Sequence, residues 1–292
     1  MKKLIPVFLL FVSVSVLFVS CNSDDSSTMQ QQQNLEAENI LNVSYGSDPQ
    51  QVYDIYLPAN RSSSKTKVII LVHGGGWTEG DKTEMNDFVT QLQLSHPEHA
   101  IVNMNYVLAT IDKPAFPNQY LDLDAVINKI INEKETLQVL PEFGLIGASA
   151  GAHISLMYDN VYDTDNLVKF VGDIVGPTNF TDVFYSNNPS FTVLLELLVD
   201  ENAYPPGTNY AVANSPALLV STASSPTILF YGNQDPLVPL TNGELLQSEL
   251  SDHMVTNSFT VYDGGHGDWS LEDLNNVQIQ LSSFISTHLP VF

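Results

Sequence analysis

Cysteine and arginine are almost missing from this 292-residue chain, which holds one of each, Cys21 and Arg61. A lone cysteine rules out an intramolecular disulfide. A lone arginine argues against the bidentate clamps that grip carboxylate or phosphate substrates. Positive charge is scarce altogether: 10 Lys+Arg stand against 33 Asp+Glu, for a formal net charge of −23. Such a surface repels nucleic acid and anionic lipid, so no nucleic-acid partner is expected and neutral substrates fit better. Apolar residues are not scarce. At 43% hydrophobic content the chain can bury the core of one full α/β domain.

The longest uncharged apolar stretch, Leu4 to Val19, falls short of the ~20 residues that span a bilayer. With Lys2 and Lys3 before it, it reads as a signal peptide over residues 1–20. Leu17-Phe-Val-Ser-Cys21 resembles a lipobox, with Phe18 where a leucine usually stands three before the cysteine. The expectation is an exported bacterial lipoprotein. It would be anchored through a lipid on Cys21 to the outer membrane, on its periplasmic or cell-surface side. Residues 21–35, acidic at Asp24 and Asp25 and then glutamine-rich, cannot bury enough apolar surface to fold and read as a tether.

Residues 36–292 read as one domain. Ile40–Tyr45 and Val52–Leu57 alternate as an opening hairpin. Lys67–Val72 is a β-branched apolar run suited to a central parallel strand. Strands then alternate with helices: Lys82–Leu94 (helix), Ala100–Tyr106 (strand), Leu121–Glu135 (helix), Phe143–Ile146 (strand), a helix from Ala152, and Phe170–Val175 (strand). Six prolines interrupt residues 176–226, which read as a cap-like insertion with a short helix at Phe191–Val199. The rhythm resumes with Thr227–Tyr231 (strand), Gly243–Leu250 (helix), Ser258–Tyr262 (strand) and Leu274–His288 (helix). This alternation predicts a doubly wound, mostly parallel sheet.

The chemistry centres on Gly147-Ala-Ser149-Ala-Gly151, a G-x-S-x-G run set between a strand and a helix. Glycines at its ends remove side chains that would strike the flanking elements, and the turn lifts Ser149 above the sheet edge. A serine needs a base, and the base needs an orienting partner. Asp235 follows Thr227–Tyr231 and His266 follows Ser258–Tyr262, each on a loop just past a strand, where open α/β sheets gather their ligands. The expected triad is Ser149, Asp235 and His266. Asp268, two residues past the histidine, is a rival acid, while Asp263 is expected to be solvated. For the oxyanion, His73-Gly74-Gly75-Gly76-Trp77 follows the first central strand. The expected donors are the N–H groups of Gly75 and Gly76, uncertain by one residue in register, with that of Ala150. His73 is expected to order this loop and His153 to serve packing. His96 and His99 flank Pro97-Glu98 without a third ligand at metal spacing and are expected to be exposed. No metal or cofactor is expected.

Taken together, His73-Gly-Gly-Gly-Trp-Thr-Glu-Gly-Asp-Lys82, Gly147-Ala-Ser-Ala-Gly151, Asp235-Pro-Leu-Val-Pro239, Gly265-His-Gly267 and the opening strand Val52–Pro58 resemble the carboxylesterase branch of the α/β-hydrolase superfamily. The nearest group is the feruloyl/acetyl-xylan esterase-like (BD-FAE-like) one, with relatives among hormone-sensitive-lipase-type esterases and kynurenine formamidases. The resemblance implies the α/β-hydrolase fold and a serine carboxylic-ester hydrolase releasing acetyl or hydroxycinnamoyl groups from carbohydrate. One departure is plain: Val107 stands where the group usually has an arginine, opposite Asp122. Within the same fold an arylformamidase or a peptidase could use the same triad, and a carbohydrate-binding surface lipoprotein on an inactive scaffold is the alternative of another class. Truncating Leu194, Leu195 and Leu198 of the cap is expected to change acyl-chain preference.

Overall fold

A computed structural model describes residues 35–292. Eight strands form one sheet: β1 (Glu38–Ser44), β2 (Val52–Leu57), β3 (Val68–Val72), β4 (Ala100–Met104), β5 (Phe143–Ala148), β6 (Val168–Ile174), β7 (Thr227–Gly232) and β8 (Asn257–Tyr262). Their order is β1-β2-β4-β3-β5-β6-β7-β8. The opening hairpin is present, and β2 pairs antiparallel with both β1 and β4; all later pairings are parallel. This is the α/β-hydrolase arrangement. β4 ends two residues earlier than the sequence suggests; Asn105 keeps its N–H on Val52 O (3.0 Å) while its side chain receives the N–H of Lys82 on Oδ1 and donates from Nδ2 to Asp81.

The helices are α1 (Asn86–Ser95), α2 (Asn118–Leu137), α3 (Ala150–Met157), α4 (Val183–Ser186), α5 (Pro189–Leu198), α6 (Tyr210–Ala213), α7 (Thr241–Asp252) and α8 (Leu271–His288). Every residue of β3 and β4 is buried, as a strand covered on both faces requires. Alternate side chains of β3 feed two cores. Val68, Ile70 and Val72 join Tyr120, Leu123 and Ile127 of α2 and Ile154 of α3. Ile69 and Leu71 join Val89 and Leu92 of α1 and Val277, Leu281 and Ile285 of α8. At about 25 cal/mol per Å² of apolar area removed from water, these two layers supply the main drive to fold.

From β3 the chain crosses to β4 on one side and then to β5 on the other, so the loops after β3 and β5 diverge. That divergence opens the crevice in which such sheets bind ligands. The proline-rich segment between β6 and β7 carries α4, α5 and α6 and packs at this same end. Its Phe180 lies edge-on to Trp77, and its Tyr185 hydroxyl donates to the carbonyl of Leu237 (3.2 Å). Cys21, the expected signal peptide and the tether up to residue 34 lie outside the described residues.

Candidate active site

The G-x-S-x-G run forms the turn its composition calls for. β5 ends at Ala148 and α3 begins at Ala150, with Ser149 between them at φ 52°, ψ −118°, a conformation that L-residues avoid. Surroundings hold it there: the Ser149 N–H donates to Ile174 O (2.8 Å), and its carbonyl accepts from the N–H groups of Ala152 and His153. Only glycine fits on either side. A Cβ on Gly151 would fall 2.1 Å from Val72 O, and one on Gly147 would fall 2.3 Å from Ala152 N.

The loops after β7 and β8 are joined to each other. Gln234 N–H donates to Gly264 O (2.8 Å) and Asn233 N–H to Tyr262 O (3.0 Å). Across this junction His266 Nδ1 lies 2.6 Å from Asp235 Oδ2, and His266 Nε2 lies 2.8 Å from Ser149 Oγ. Three segments far apart in sequence thus meet. The Asp235 side chain is wholly shielded from solvent, while that of His266 is 21% exposed. Burial would raise the Asp235 pKa. The bond from His266 and the N–H groups of Val238 and Leu237 outweigh it and hold the carboxyl below the usual carboxylate range. An anionic Asp235 requires the proton on Nδ1, which leaves Nε2 free to accept from the serine.

The glycine loop forms the facing wall. Gly75 and Gly76 have φ of 106° and 55°, and the Gly75 carbonyl accepts from Thr78 N–H (3.1 Å) and Glu79 N–H (3.0 Å). The N–H groups of Gly75 and Gly76 donate to no acceptor among the described residues. Ala150, first in α3, has an N–H with no intrahelical partner. His73 orders the loop, as expected. It stacks on Tyr106 (centroids 4.3 Å apart), its Nδ1 is 2.7 Å from Gly74 O, and burial lowers its pKa so that the ring is neutral. Behind the loop, Lys82 Nζ meets Asp54 Oδ2 at 2.8 Å in a buried ion pair, tying it to β2. Ser149 and His266 share with Gly74, Gly75 and Gly76 a cleft of about 510 Å³, further lined by Thr78, Glu79, Glu84, Met85, Phe88, Ala148 and Leu237.

The model of the BD-FAE family matches residues 53–250, two thirds of the chain, from β2 into α7, with β1, β8 and His266 outside the match. The protein belongs to the BD-FAE family. Among curated proteins, it is 24% identical to the isoprenylcysteine alpha-carbonyl methylesterase ICME of Arabidopsis thaliana, over 79% of this chain and 57% of that one. It is 22% identical to Esterase LipC of Mycobacterium tuberculosis, over 68% of this chain and 51% of that one. The chain thus spans little more than half the length of these relatives. Among solved structures, the carboxylesterase Cest-2923 of Lactobacillus plantarum superposes with a TM-score of 0.70 at 18% identity, covering 88% of this chain and 99% of that one. At that identity the likeness speaks for the shared fold.

Other residues of this BD-FAE chain fall differently from the sequence reading. His96 and His99 are buried, each 7% exposed. Their partners come from the far end of the chain: His96 Nε2 lies 3.0 Å from Ser282 Oγ, and His99 Nε2 lies 2.8 Å from Leu289 O. Asp268 is no rival acid, since its Oδ1 accepts from Gly265 N–H (2.7 Å) within its own loop. Asp263 is exposed, as expected. Opposite Asp122, where the arginine is missing, Gln51 Nε2 (2.7 Å) and the Val107 N–H (2.8 Å) donate to the carboxyl, so neutral donors replace an ion pair. In α5, Leu195 and Leu198 are turned into the core, and Leu198 also borders the apolar groove that Leu194 and Leu197 line with Thr78, Ala109, Thr110 and Ile111. Gln51, Phe88 and Leu237 were not singled out from sequence, because nothing local to them signals a site.

Proposed function

We propose that this chain is a serine carboxylic-ester hydrolase working through Ser149, His266 and Asp235. The single observation that carries the reading is the unbroken hydrogen-bonded line from Ser149 Oγ through both ring nitrogens of His266 to a shielded Asp235. As Oγ attacks the ester carbonyl carbon, Nε2 takes the hydroxyl proton, and Asp235 stabilises the imidazolium. The carbonyl oxygen becomes an oxyanion met by the N–H groups of Gly75, Gly76 and Ala150. Collapse breaks the carbon–oxygen bond to the alcohol, which leaves with the Nε2 proton. Water, deprotonated by the same nitrogen, then attacks the acyl-serine and releases the acid.

No lysine or arginine lines the cleft among the described residues, whereas Glu79 and Glu84 do, which favours neutral over carboxylate-bearing esters. Hydroxyl-accepting carboxylates beside Phe88 suit an acetylated or hydroxycinnamoylated carbohydrate. A structural neighbour of 0.68 TM-score, described as a truncated carbohydrate esterase from gut microbiota, points the same way. The test is a panel of aryl acetates, longer acyl esters, methyl ferulate and acetylated xylan, run on residues 35–292 and on Ser149→Ala. Turnover by the parent and none by the variant is expected. Fluorophosphonate labelling that survives Ser149→Ala would refute the assignment, and tight binding of acetylated xylan without turnover would favour the inactive-scaffold alternative.

Export and lipid anchoring at Cys21 remain part of this proposal. They are supported by the apolar leader and by the cysteine's place after it. Detergent-phase partitioning of the full chain, lost in Cys21→Ala, is the expected result; equal partitioning of both would refute the anchor.

A further inference from the structure

Three successive glycines make a poor scaffold for donors that must hold still, since glycine resists no backbone rotation. The first side chain after them that can anchor the loop is Trp77. Its own backbone is left-handed (φ 65°), and its carbonyl accepts from Ala109 N–H and Gln119 Nε2, both at 2.8 Å. Its indole Nε1–H donates to His153 Nδ1 (3.2 Å). His153 stands one turn past Ser149 on α3 and is fully buried, and its Nε2 lies 2.9 Å from the carbonyl of Asn214. An indole N–H only donates and a carbonyl only accepts, so the two partners fix one tautomer, neutral with its proton on Nε2. Burial agrees, drawing the His153 pKa down to about 4. Phe116, Tyr120 and Phe180 enclose the ring at centroid distances of 5.0 to 5.7 Å. Asn214 is itself held, its Oδ1 accepting from Tyr204 (2.8 Å) and Tyr120 (3.0 Å).

We propose that His153 is a positioning residue of the oxyanion site. By accepting the indole N–H of Trp77 it fixes the turn that aims the Gly75 and Gly76 N–H groups. By donating to Asn214 it ties that turn to the segment between β6 and β7. The inference rests on the reading of Ser149 as nucleophile. His153 does not touch the substrate; it acts through Trp77. Its loss therefore weakens what the loop does to the transition state more than what the cleft does to the bound ester.

The experiment measures kcat and KM for p-nitrophenyl acetate, together with the affinity of an alkyl trifluoromethyl ketone, whose serine adduct carries the oxyanion. His153→Leu is expected to lower kcat about 10- to 100-fold, the scale of losing or misplacing one oxyanion donor, with KM changed no more than about twofold. Ketone affinity falls by the same factor as kcat. His153→Gln, whose amide can accept from the indole and donate to Asn214, recovers most of the loss. Trp77→Phe keeps an aromatic ring, removes the N–H together with part of the buried indole, and falls toward His153→Leu; it decides the matter if His153→Leu does not fold. Tyr120→Phe removes a hydroxyl from the same cluster and is expected to lower thermal stability while leaving kcat and ketone affinity at parent values. Full kcat and ketone affinity in Trp77→Phe, or an equal kcat loss in Tyr120→Phe, overturns the proposal while the hydrolase reading stands. A parent protein that turns over no ester overturns both.

Discussion

The clefts at the two ends of the parallel strands are lined by histidines in opposite settings. At the C-terminal end, His266 is partly exposed, spans a carboxylate and a serine hydroxyl, and meets backbone held out of its preferred regions at Ser149 (φ 52°). At the N-terminal end, His96 and His99 meet edge-on at 5.4 Å, buried, and neither forms an ion pair among the described residues. A cleft of about 200 Å³ opens there too, lined by both rings with Ser95, Pro97, Glu98, Ser286, Pro290 and Val291. It holds imidazole and hydroxyl groups but no strained nucleophile, no paired carboxylate and no glycine loop. Concavity and histidine do not make a catalytic site. The sheet reversal is what favours the proposed one, because diverging loops bring a carboxylate, an imidazole and free N–H groups to one point.

The sharpest way to break this contrast is at the acid. Asp235→Asn keeps the shape but leaves His266 free to take the wrong tautomer, and kcat is expected to fall by about 10⁴-fold, as in other triads. Asp268→Asn loses only a carboxylate cap on Gly265 N–H, and kcat is expected to stay within about tenfold of the parent. Steady-state kinetics on the two variants decide between them. Comparable losses would mean that the acid has been misassigned.

A far-end substitution should do the reverse. His99→Leu removes the partner of the Leu289 carbonyl. A buried hydrogen bond lost on one side costs about 1–2 kcal/mol, so the melting temperature should fall by about 2–6 °C while kcat/KM stays within about twofold. A kinetic defect as large as the thermal one would show that the two ends are not independent.

The end proposed as catalytic is the legible one, for a physical reason. Each of its parts is a contiguous strand–turn unit whose glycines are demanded by close backbone approach, as at Gly147 and Gly151. The order of Ser149, Asp235 and His266 along the chain followed from strand succession alone. The far end was not legible. His96 and His99 sit in a polar stretch, Ser95-His-Pro-Glu-His99, which reads as exposed loop. Their burial depends on Ser282 and Leu289, 186 and 190 residues away in sequence. Gln51 answering Asp122 from 71 residues away was hidden in the same manner. In α5 leucines stand on both sides of Glu196, at Leu194–Leu195 and Leu197–Leu198, so only packing shows that Leu195 faces the core and Leu197 the groove.

The far-end histidines and the buried carboxyl of Asp173 should give stability opposite dependences on pH. Burial, and then repulsion from His99, draws the His96 pKa down to about 4, and burial lowers that of His99 as well. Unfolded histidine binds its proton near 6.5, so their contribution is intact above that pH and is lost as pH falls from 6.5 toward 4. Near the C-terminal end of the strands, Asp173 pairs with Gly147 across the β5–β6 ladder, and burial raises its pKa to about 7 despite donors from Tyr231 and Gly176. The Tyr231 hydroxyl lies 2.7 Å from Asp173 Oδ2 and 2.6 Å from Gly176 O; its one proton can serve only one of them, and a protonated Asp173 supplies the other bond. A carboxyl raised in this way contributes fully below about 4 and costs stability as pH rises from 4 to 7. In the parent protein the two trends oppose each other over one window. Melting temperatures at pH 4.5, 5.5, 6.5 and 7.5 should separate them. Relative to the parent, His96→Gln should gain toward pH 4.5 and Asp173→Asn toward pH 7.5, by a few degrees each. Offsets that stay constant across the series would mean that neither group changes its proton affinity on folding.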